Sequence, residues 1–170
     1  FLYDGIAVLN SADFDEKQLE DKISSIAQVD KSMLMQSTDG IAENESENQS
    51  VSMIVPKTPE NMGDYIDLVS AENGSNLEVK SGSVIITQKL AKLLDLKTGD
   101  TITIKLSGHE EKEFKIGGVS KNYALHYIYI TPDDFESVYG EKPVYNLSFI
   151  DLKKDTDENF FKEQLISNDE

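Results

Sequence analysis

The residue types that most often perform enzyme chemistry are scarce in this chain of 170 residues. It contains no cysteine, which removes thiol nucleophiles, thiolate metal ligands and disulfide bonds at once. The turn G-x-S-x-G is absent, and no serine is followed three residues later by lysine. The phosphate-binding patterns G-x-x-x-x-G-K-[ST] and G-x-G-x-x-G are absent as well. The sequence therefore predicts neither a familiar nucleophile nor a nucleotide cofactor.

Two histidines, His109 and His126, are the remaining candidates for general acid–base catalysis. His109 lies in the charged turn 107–111, where we expect its ring to be exposed to solvent. His126 lies in a predicted strand, on the face opposite to its tyrosines, and we expect a structural role for it. We therefore predict no catalytic residue and no enzyme activity. A carboxylate pair acting on a glycoside stays an alternative, because 32 acidic residues always offer pairs.

Acidic residues near the C-terminus match part of a calcium-binding loop. Asp155, Asp157 and Asn159 occupy the first three ligand positions of an EF-hand. Phe160 stands where that loop requires glycine, and Ile166 stands where it requires glutamate. We therefore predict no metal site, and we interpret these acids as the N-terminus of a helix.

The charge of the chain limits its partners. Acidic residues number 32 and basic residues 16, the formal net charge is −16, and every basic residue is lysine. Nucleic-acid binding requires a basic surface and usually arginine, so we exclude nucleic acid as a partner. A polyanionic surface instead attracts cationic ligands. This charge motivates one hypothesis, a freestanding surface or cell-wall module that binds a cationic peptide.

Apolar patterns in the first part of the chain predict strands around one helix. We predict a strand over 3–10 and a helix that begins near Asp13, whose distance from Glu16 is that of a capping box. Apolar residues then recur three and four positions apart, as on one face of a helix. Further strands are predicted over 29–37, 51–55 and 65–69, and the polar stretch 39–50 is predicted to be an exposed loop or hairpin tip.

The rest of the chain alternates strands with short helices. Thr131, Pro132 and two acids predict the start of a helix that Gly140 ends. Gly117 and Gly118 predict a bulge or bend within a strand. Strands are predicted over 84–86, 101–106, 112–119, 122–130 and 144–152, and helices over 88–96, 132–139 and a terminal segment with Phe160, Phe161 and Leu165.

This order of elements lacks a regular β-α-β alternation, so we predict an α+β fold rather than a doubly wound sheet. We expect the two ends of the chain, 1–64 and 141–170, to form one mixed lobe with the order β-α-β-β and then β-α. We expect residues 65–140 to form a smaller inserted lobe, rich in strands and carrying short helices.

One predicted strand carries an aromatic face. Tyr123, Tyr127 and Tyr129 are separated by even numbers of residues, so in a strand they point to the same side. Exposed tyrosines are enriched in recognition surfaces. We therefore predict this face as a recognition surface, with packing inside the core as the alternative.

A longer pattern in the middle of the chain resembles a known family. Residues 84–104 read VIITQKLAKLLDLKTGDTITI. This run resembles the pattern V-I-I-[ST]-x-x-L-A-x-x-L-x-L-x-x-G-D-x-I-x-[IL] of the MacB-like periplasmic core domain in FtsX/MacB-like ABC transporter permeases. The strand 114–119 and the run 127–132 continue the resemblance, which covers residues 82–139. The glycine–aspartate turn in this pattern is a signature of the fold, so no functional residue is carried over from it.

The resemblance implies a place and a role. Such domains lie outside the cytoplasmic membrane, between the first two transmembrane helices of the permease, and lack catalytic residues. They relay ATP-driven motion, bind a partner protein, or capture an amphiphilic or peptide substrate. The implied partners are the transmembrane helices of the same permease and a cytoplasmic ATPase subunit or domain. A composition free of cysteine and arginine favours a Gram-positive organism.

The ends of the chain predict a fragment. It begins with Phe1 rather than methionine, and no run approaches the roughly 20 apolar residues of a membrane span. We expect a domain from the outer face of a larger membrane protein. Insertion between two spans further predicts that the two ends of the domain lie near each other, and widely separated ends would contradict it.

Overall fold

The computed structural model describes residue 2 and the ranges 4–8, 16–44, 47–122 and 125–156. Within them the chain forms eight strands, three α-helices and a 3₁₀ helix. The strands are β1 (Gly5–Val8), β2 (Val29–Glu43), β3 (Asn48–Pro56), β4 (Val84–Thr87), β5 (Thr101–Leu106), β6 (Lys112–Ser120), β7 (Tyr127–Tyr129) and β8 (Leu147–Leu152). The helices are α1 (Glu16–Ser25), α2 (Gln88–Leu93) and α3 (Pro132–Tyr139), and the 3₁₀ helix is Pro59–Asp64.

All eight strands belong to one mixed sheet in the order β1-β8-β2-β3-β7-β4-β6-β5. The second half of β2 also pairs with β5, from Gly40 opposite Leu106 to Glu43 opposite Thr103. This extra pairing closes the six strands from β2 to β5 into a barrel, whereas β1 and β8 extend from the first half of β2 as a wing. The sheet and its few helices confirm the predicted α+β class.

The interior of the barrel is one apolar core, because alternate residues of each strand face inward. In β5 the inward residues Ile102, Ile104 and Leu106 are buried, and the residues between them are partly or fully exposed. The helices α2 and α3 follow the antiparallel strands β4 and β7, so they cover opposite mouths of the barrel. Leu90 of α2 and Phe135 of α3 are fully buried in this core.

The wing carries an apolar layer on each face. On one face, Leu19 and Ile23 of α1 pack with Leu34 and Ile150. On the other face, the segment that follows β3 covers both the wing and the outside of the barrel. That second layer contains Met33, Met35, Ile54, Met62, Tyr65, Ile66, Leu68, Val79, Ile85, Tyr129 and Phe149. Strand β2 contributes residues to all three cores and so joins the wing to the barrel.

The prediction of a loop over 39–50 is wrong for most of these residues. Strand β2 continues to Glu43 and β3 begins at Asn48, so only the short connection between them forms the hairpin tip. Residues 40–43 pair with β3 on one side and with β5 on the other. Ala42 is fully buried inside the barrel. These partners come from distant parts of the chain, so the polar local sequence does not reveal the strand.

Three other boundaries differ from the sequence prediction. The predicted strand 65–69 is reduced to an isolated bridge between Val69 and Asn76. The predicted aromatic strand 122–130 is a strand only over Tyr127–Tyr129 in the described residues. Helix α2 ends at Leu93, three residues before the predicted end at 96.

Local signals with a clear stereochemical cause are confirmed. Thr131 caps α3, because its Oγ1 accepts a hydrogen bond from the Asp134 amide at 3.2 Å. Gly140 ends α3 in the left-handed conformation, with φ of 74°. The pairing of β4 with β6 shifts by one residue at Gly117, which is the predicted bulge. The capping residue Asp13 and the predicted terminal helix lie outside the described residues.

Candidate functional site

The predicted tyrosine face packs partly against the core. Tyr129 is fully buried in the layer outside the barrel, and its ring centroid lies 6.0 Å from that of Tyr127. Tyr127 is partly buried, and burial raises the pKa of its hydroxyl. Tyr123 lies outside the described residues. The side chain of Tyr129 therefore supports packing, and recognition by the surface around Tyr127 stays a prediction.

His109 is less exposed than predicted, since its side chain is 23% exposed and neighbouring groups hold its ring. Its Nδ1 lies 3.0 Å from the Ser107 carbonyl oxygen, and its Nε2 lies 2.8 Å from a carboxylate oxygen of Glu141. The ring also meets Tyr139 edge-on, with 4.9 Å between centroids. Glu141 and Tyr139 belong to the region of α3, far along the chain, so the turn sequence alone does not predict these contacts.

His126 links β3 to β7. Its Nδ1 lies 3.0 Å from the Ser50 carbonyl oxygen, and its own carbonyl accepts a hydrogen bond from the Ser52 amide at 3.0 Å. Within the described ranges, neither histidine has a serine hydroxyl as a hydrogen-bond partner, which a nucleophile–base pair requires. The same residues include no group of three or more acids and histidines that could hold a metal ion.

A groove of about 610 Å³ lies between the start of the 3₁₀ helix, the segment 78–81 and the N-terminus of α3. A second hollow of about 230 Å³ adjoins it, since both are lined by Pro59, Glu60, Glu78 and Val79. Asp133, at the start of α3, lines the far side of the first hollow. We refer to the two hollows together as the acidic groove.

One wall of the acidic groove is fixed by Asp134. Its carboxylate accepts a hydrogen bond from the Gly82 amide at 2.8 Å, and its own amide donates to the cap Thr131. The turn that follows segment 78–81 is thereby held against the N-terminus of α3. The two walls come from parts of the chain about 50 residues apart, as the span of this hydrogen bond indicates.

Both lysines of the acidic groove are engaged by carboxylates. Lys80 Nζ lies 3.0 Å from a carboxylate oxygen of Glu78. Lys57 Nζ contacts both Glu16 and Glu20 of α1. Burial acts to lower the pKa of Lys57, but the hydrogen bonds and charges of these two glutamates outweigh it, and the pKa is raised.

Three acids of the acidic groove are left uncompensated. Among the described residues, Glu60, Asp67 and Asp133 form no salt bridge, and all three side chains are exposed. The free charge of the groove is therefore negative. Sequence reasoning missed this site, because its lining comes from the separate stretches 57–60, 78–81 and 131–133, none of which carries a known pattern. The signals available were the two prolines, Pro59 and Pro132, which mark exposed turns beside short helices.

The first and last strands bring the two ends of the described chain together. Strands β1 and β8 are antiparallel neighbours, with Gly5 opposite Ile150. The Asp4 amide donates to the Ile150 carbonyl at 3.0 Å, and the Leu152 amide donates to the Asp4 carboxylate at 2.8 Å. Strand β2 starts at this same end, since Val29 lies opposite Leu152.

The tip of the β2–β3 hairpin lies at the other end of the molecule. Strand β2 has 15 residues, and at about 3.3 Å per residue it spans about 45–50 Å.

None of the helices in the part of the chain that the structure describes is long and apolar enough to cross a membrane.

No protein-family model and no curated protein sequence matches the chain. Solved structures with the same fold do exist. The extracellular domain of the noncanonic ABC-type transporter YknZ from Gram-positive bacteria aligns with a TM-score of 0.56 and 15% identity, over 94% of this chain and 86% of that chain. The periplasmic region of MacB from Actinobacillus actinomycetemcomitans aligns with a TM-score of 0.55 and 12% identity, over 95% of this chain and 79% of that chain.

The likeness in fold extends beyond the residues that carry the sequence pattern. It covers 94–95% of this chain, whereas the sequence resemblance covers residues 82–139. The resemblance stated for residues 82–139 is confirmed at the level of fold. The chain has the fold of the extracellular domain of the ABC-type transporter YknZ and of the periplasmic region of MacB.

Proposed function

We propose that this chain is a non-catalytic extracytoplasmic domain of an ABC transporter permease, and that it binds a substrate or partner and relays conformational change. The observation that carries the proposal is the position of the strand ends. The start of β1 and the end of β8 are joined by hydrogen bonds between Asp4, Ile150 and Leu152. A domain inserted between two membrane spans needs this arrangement, because the chain leaves and re-enters the membrane at one end of the domain.

Strand β2 is the element best suited to relay movement. It begins beside β1 and β8 and ends at the distal hairpin tip. Along the way it contributes Leu34, Met35 and Ala42 to three different cores, so it is anchored in both the wing and the barrel. Close-packed interiors transmit displacement as rigid bodies. A tilt of the membrane-proximal end therefore moves the barrel as a unit, and the partner implied at that end is the set of transmembrane helices of the same permease.

A cytoplasmic ATPase, as a subunit or domain of the same transporter, would supply the energy for this movement. This assignment follows from the proposed membership of an ABC transporter, and it leaves the domain itself without a nucleotide site. The sequence carries no phosphate-binding pattern of its own, which supports that division of roles.

A freestanding surface module that binds a cationic peptide is the second candidate. It is favoured by the net charge of −16 and by the free acids Glu60 and Asp133 in the acidic groove. The two candidates differ in what surrounds the domain, since only the permease places it between membrane spans.

Labelling of the intact permease tests the first candidate. In the full-length parent protein, freed of any other cysteine, Glu110→Cys places a thiol in the exposed turn between β5 and β6. We expect a membrane-impermeant maleimide to label it in intact cells. Ile102→Cys is the control, since that side chain is fully buried and reacts only after denaturation. Labelling of the Glu110→Cys variant only after lysis would place the domain in the cytoplasm and contradict the proposal.

A further inference from the structure

The segment 78–80 on the wall of the acidic groove belongs to no strand or helix, and Ser81 begins the turn that follows. Along it, Glu78 and Lys80 are exposed, whereas Val79 between them is 6% exposed and packs in the layer outside the barrel. This alternation is that of a strand. The Leu77 amide still donates to the Leu68 carbonyl at 2.7 Å, and the pairing stops there.

The backbone of this segment is open for a further strand. Among the described residues, the amides of 78–81 donate no hydrogen bond and their carbonyl groups accept none. The buried side chain of Val79 and the Gly82–Asp134 hydrogen bond nonetheless hold the segment in place. A fixed, extended and unpaired backbone is the feature to which peptides add as an extra strand.

The negative charge of the acidic groove favours a ligand with positive charge. Its two lysines are neutralised by glutamates, whereas Glu60, Asp67 and Asp133 line the groove without a salt bridge among the described residues. Residues 157–170 of this chain carry five acids and one lysine, and a second copy carries a charge of −16, so neither suits this groove. A basic peptide segment from a different molecule has the opposite charge and suits the groove.

We infer that the acidic groove binds an extended basic peptide from outside the chain, which adds as a strand along residues 78–81. This inference rests on the proposed binding role and names its ligand class. Alternate side chains of the peptide lie against Pro59 and Pro132, and the basic ones meet Glu60 and Asp133. A volume of about 610 Å³ lies within the roughly 300–1,000 Å³ of small-molecule sites, which leaves room for a few residues of such a peptide.

The test uses the complete 170-residue chain and a fluorescent heptapeptide of alternating lysine and valine with blocked ends. We expect saturable binding by anisotropy that weakens steeply between about 50 mM and about 200 mM salt. The same peptide with every internal amide nitrogen methylated lacks backbone donors, and we expect its affinity to fall about tenfold. Successive amides of a strand point to opposite edges, so amide exchange should slow at alternate residues of 78–81 when the unmodified peptide binds.

A matched pair of variants locates the site. Glu60→Gln with Asp133→Asn removes two charges from the acidic groove, and we expect the dissociation constant to rise about fivefold to tenfold. Glu47→Gln with Glu110→Gln removes two exposed charges elsewhere, at the hairpin tip and in the β5–β6 turn, and we expect less than about a twofold change.

Several results would overturn the inference. One is an equal loss of affinity in both double variants, which would mean charge attraction without a site. Others are undiminished binding of the N-methylated peptide, no binding at low salt, or self-association that the Glu60→Gln, Asp133→Asn variant abolishes. The labelling test of the intact permease does not involve the groove. The ligand assignment can therefore fail while the transporter proposal stands, and the reverse also holds.

Discussion

Gly40 is a residue at which the closure of the barrel depends on the absence of a side chain. It lies in β2 opposite Leu106 of β5, where the second half of β2 begins its pairing with that strand. A Cβ at this position would lie 2.7 Å from the Lys105 carbonyl oxygen and 2.9 Å from Leu106 Cδ2. The first of these atoms is backbone and cannot move without loosening the pairing. Glycine is required here for close approach rather than for an unusual φ.

We expect Gly40→Ala to lower the free energy of unfolding by about 1–3 kcal/mol, the usual cost of an added methyl group in a close-packed site. Gly63→Ala is the control, because a Cβ there meets nothing within 4 Å. Urea denaturation followed by circular dichroism measures both. Equal stability of the two variants would mean that β2 and β5 do not close the barrel at Gly40.

Tyr65 and Tyr139 are two residues whose ionisation at alkaline pH destabilises the fold. Burial raises the pKa of both hydroxyls to about 12, and Asp151, Asp64 and Asp30 add to the effect at Tyr65. The ordinary tyrosine pKa is 10.0. Since the folded pKa is the higher one, the stability that the neutral hydroxyls contribute is complete below pH 10 and is lost as pH rises through 12.

We therefore expect the urea midpoint to fall steeply between about pH 10 and about pH 12, and to fall less steeply in Tyr139→Phe. At neutral pH this variant should be no less stable, because the buried Tyr139 hydroxyl has no hydrogen-bond partner in the described residues. Absorbance of tyrosinate, recorded together with unfolding, checks both statements. Ionisation of every tyrosine near pH 10 in the folded chain would contradict them.

At the scale of elements, α3 is the helix whose ends are most completely specified by sequence. Thr131 caps its N-terminus, Pro132 occupies the first turn and Gly140 ends it. The same helix covers one mouth of the barrel through Phe135 and forms one wall of the acidic groove. Its capping therefore affects both the stability of the barrel and the geometry of the site.

We expect Thr131→Ala to cost about 1 kcal/mol of stability, because the Asp134 amide loses its acceptor. Thr131→Ser keeps that oxygen and should stay within about 0.5 kcal/mol of the natural chain. Denaturant unfolding of the two variants provides the comparison. If serine and alanine were equally destabilising, the lost methyl group of this buried residue, rather than the cap, would be the cause.

The elements that were predicted well are those whose signal lies in neighbouring residues of the sequence. Strand β5 has an apolar residue at every second position, and the bulge at Gly117 follows from a pair of glycines. Strand β2 was predicted too short, because residues 40–43 become a strand only through partners on both sides. Strand β7 was predicted too long, because only three of its residues find partners in β3.

The candidate site was less predictable than the fold. The tyrosine face came from alternation within one strand, but alternation does not reveal which face is covered, and Tyr129 is covered by the layer outside the barrel. The acidic groove arises where two turns and a short helix meet, and each is unremarkable in sequence. Its main feature, the open backbone of 78–81, is independent of side-chain type.

At the scale of the whole molecule, all eight strands form one continuous sheet. This sheet includes strands from both predicted lobes, 1–64 with 141–170 and 65–140. Strands β1 and β8 lie in the wing, and β4 to β7 lie in the barrel. Strand β3 and the second half of β2 complete the barrel from the first range. We propose that the two ranges fold as one cooperative unit through β2, with the wing facing the membrane.

The adjacency of β1 and β8 gives a direct test of this view of the whole molecule. Val8 lies opposite Leu147, and residues opposite each other in an antiparallel pair have Cα atoms about 4.5–5.5 Å apart, a distance that a disulfide spans. Because the chain has no cysteine, Val8→Cys with Leu147→Cys can form one intramolecular bond only. We expect rapid oxidation and, since the bond closes a loop of well over 100 residues, a gain in stability of about 2–4 kcal/mol over the reduced form.

Val8→Cys with Leu93→Cys is the control, because Leu93 belongs to α2 at a mouth of the barrel and not to the wing. That pair should stay reduced or form bonds between molecules. Mass spectrometry and denaturant unfolding, with and without reductant, distinguish these products. Intermolecular bonds in the Val8→Cys, Leu147→Cys variant would separate the two ends of the domain. They would also remove the observation on which insertion between two membrane spans depends.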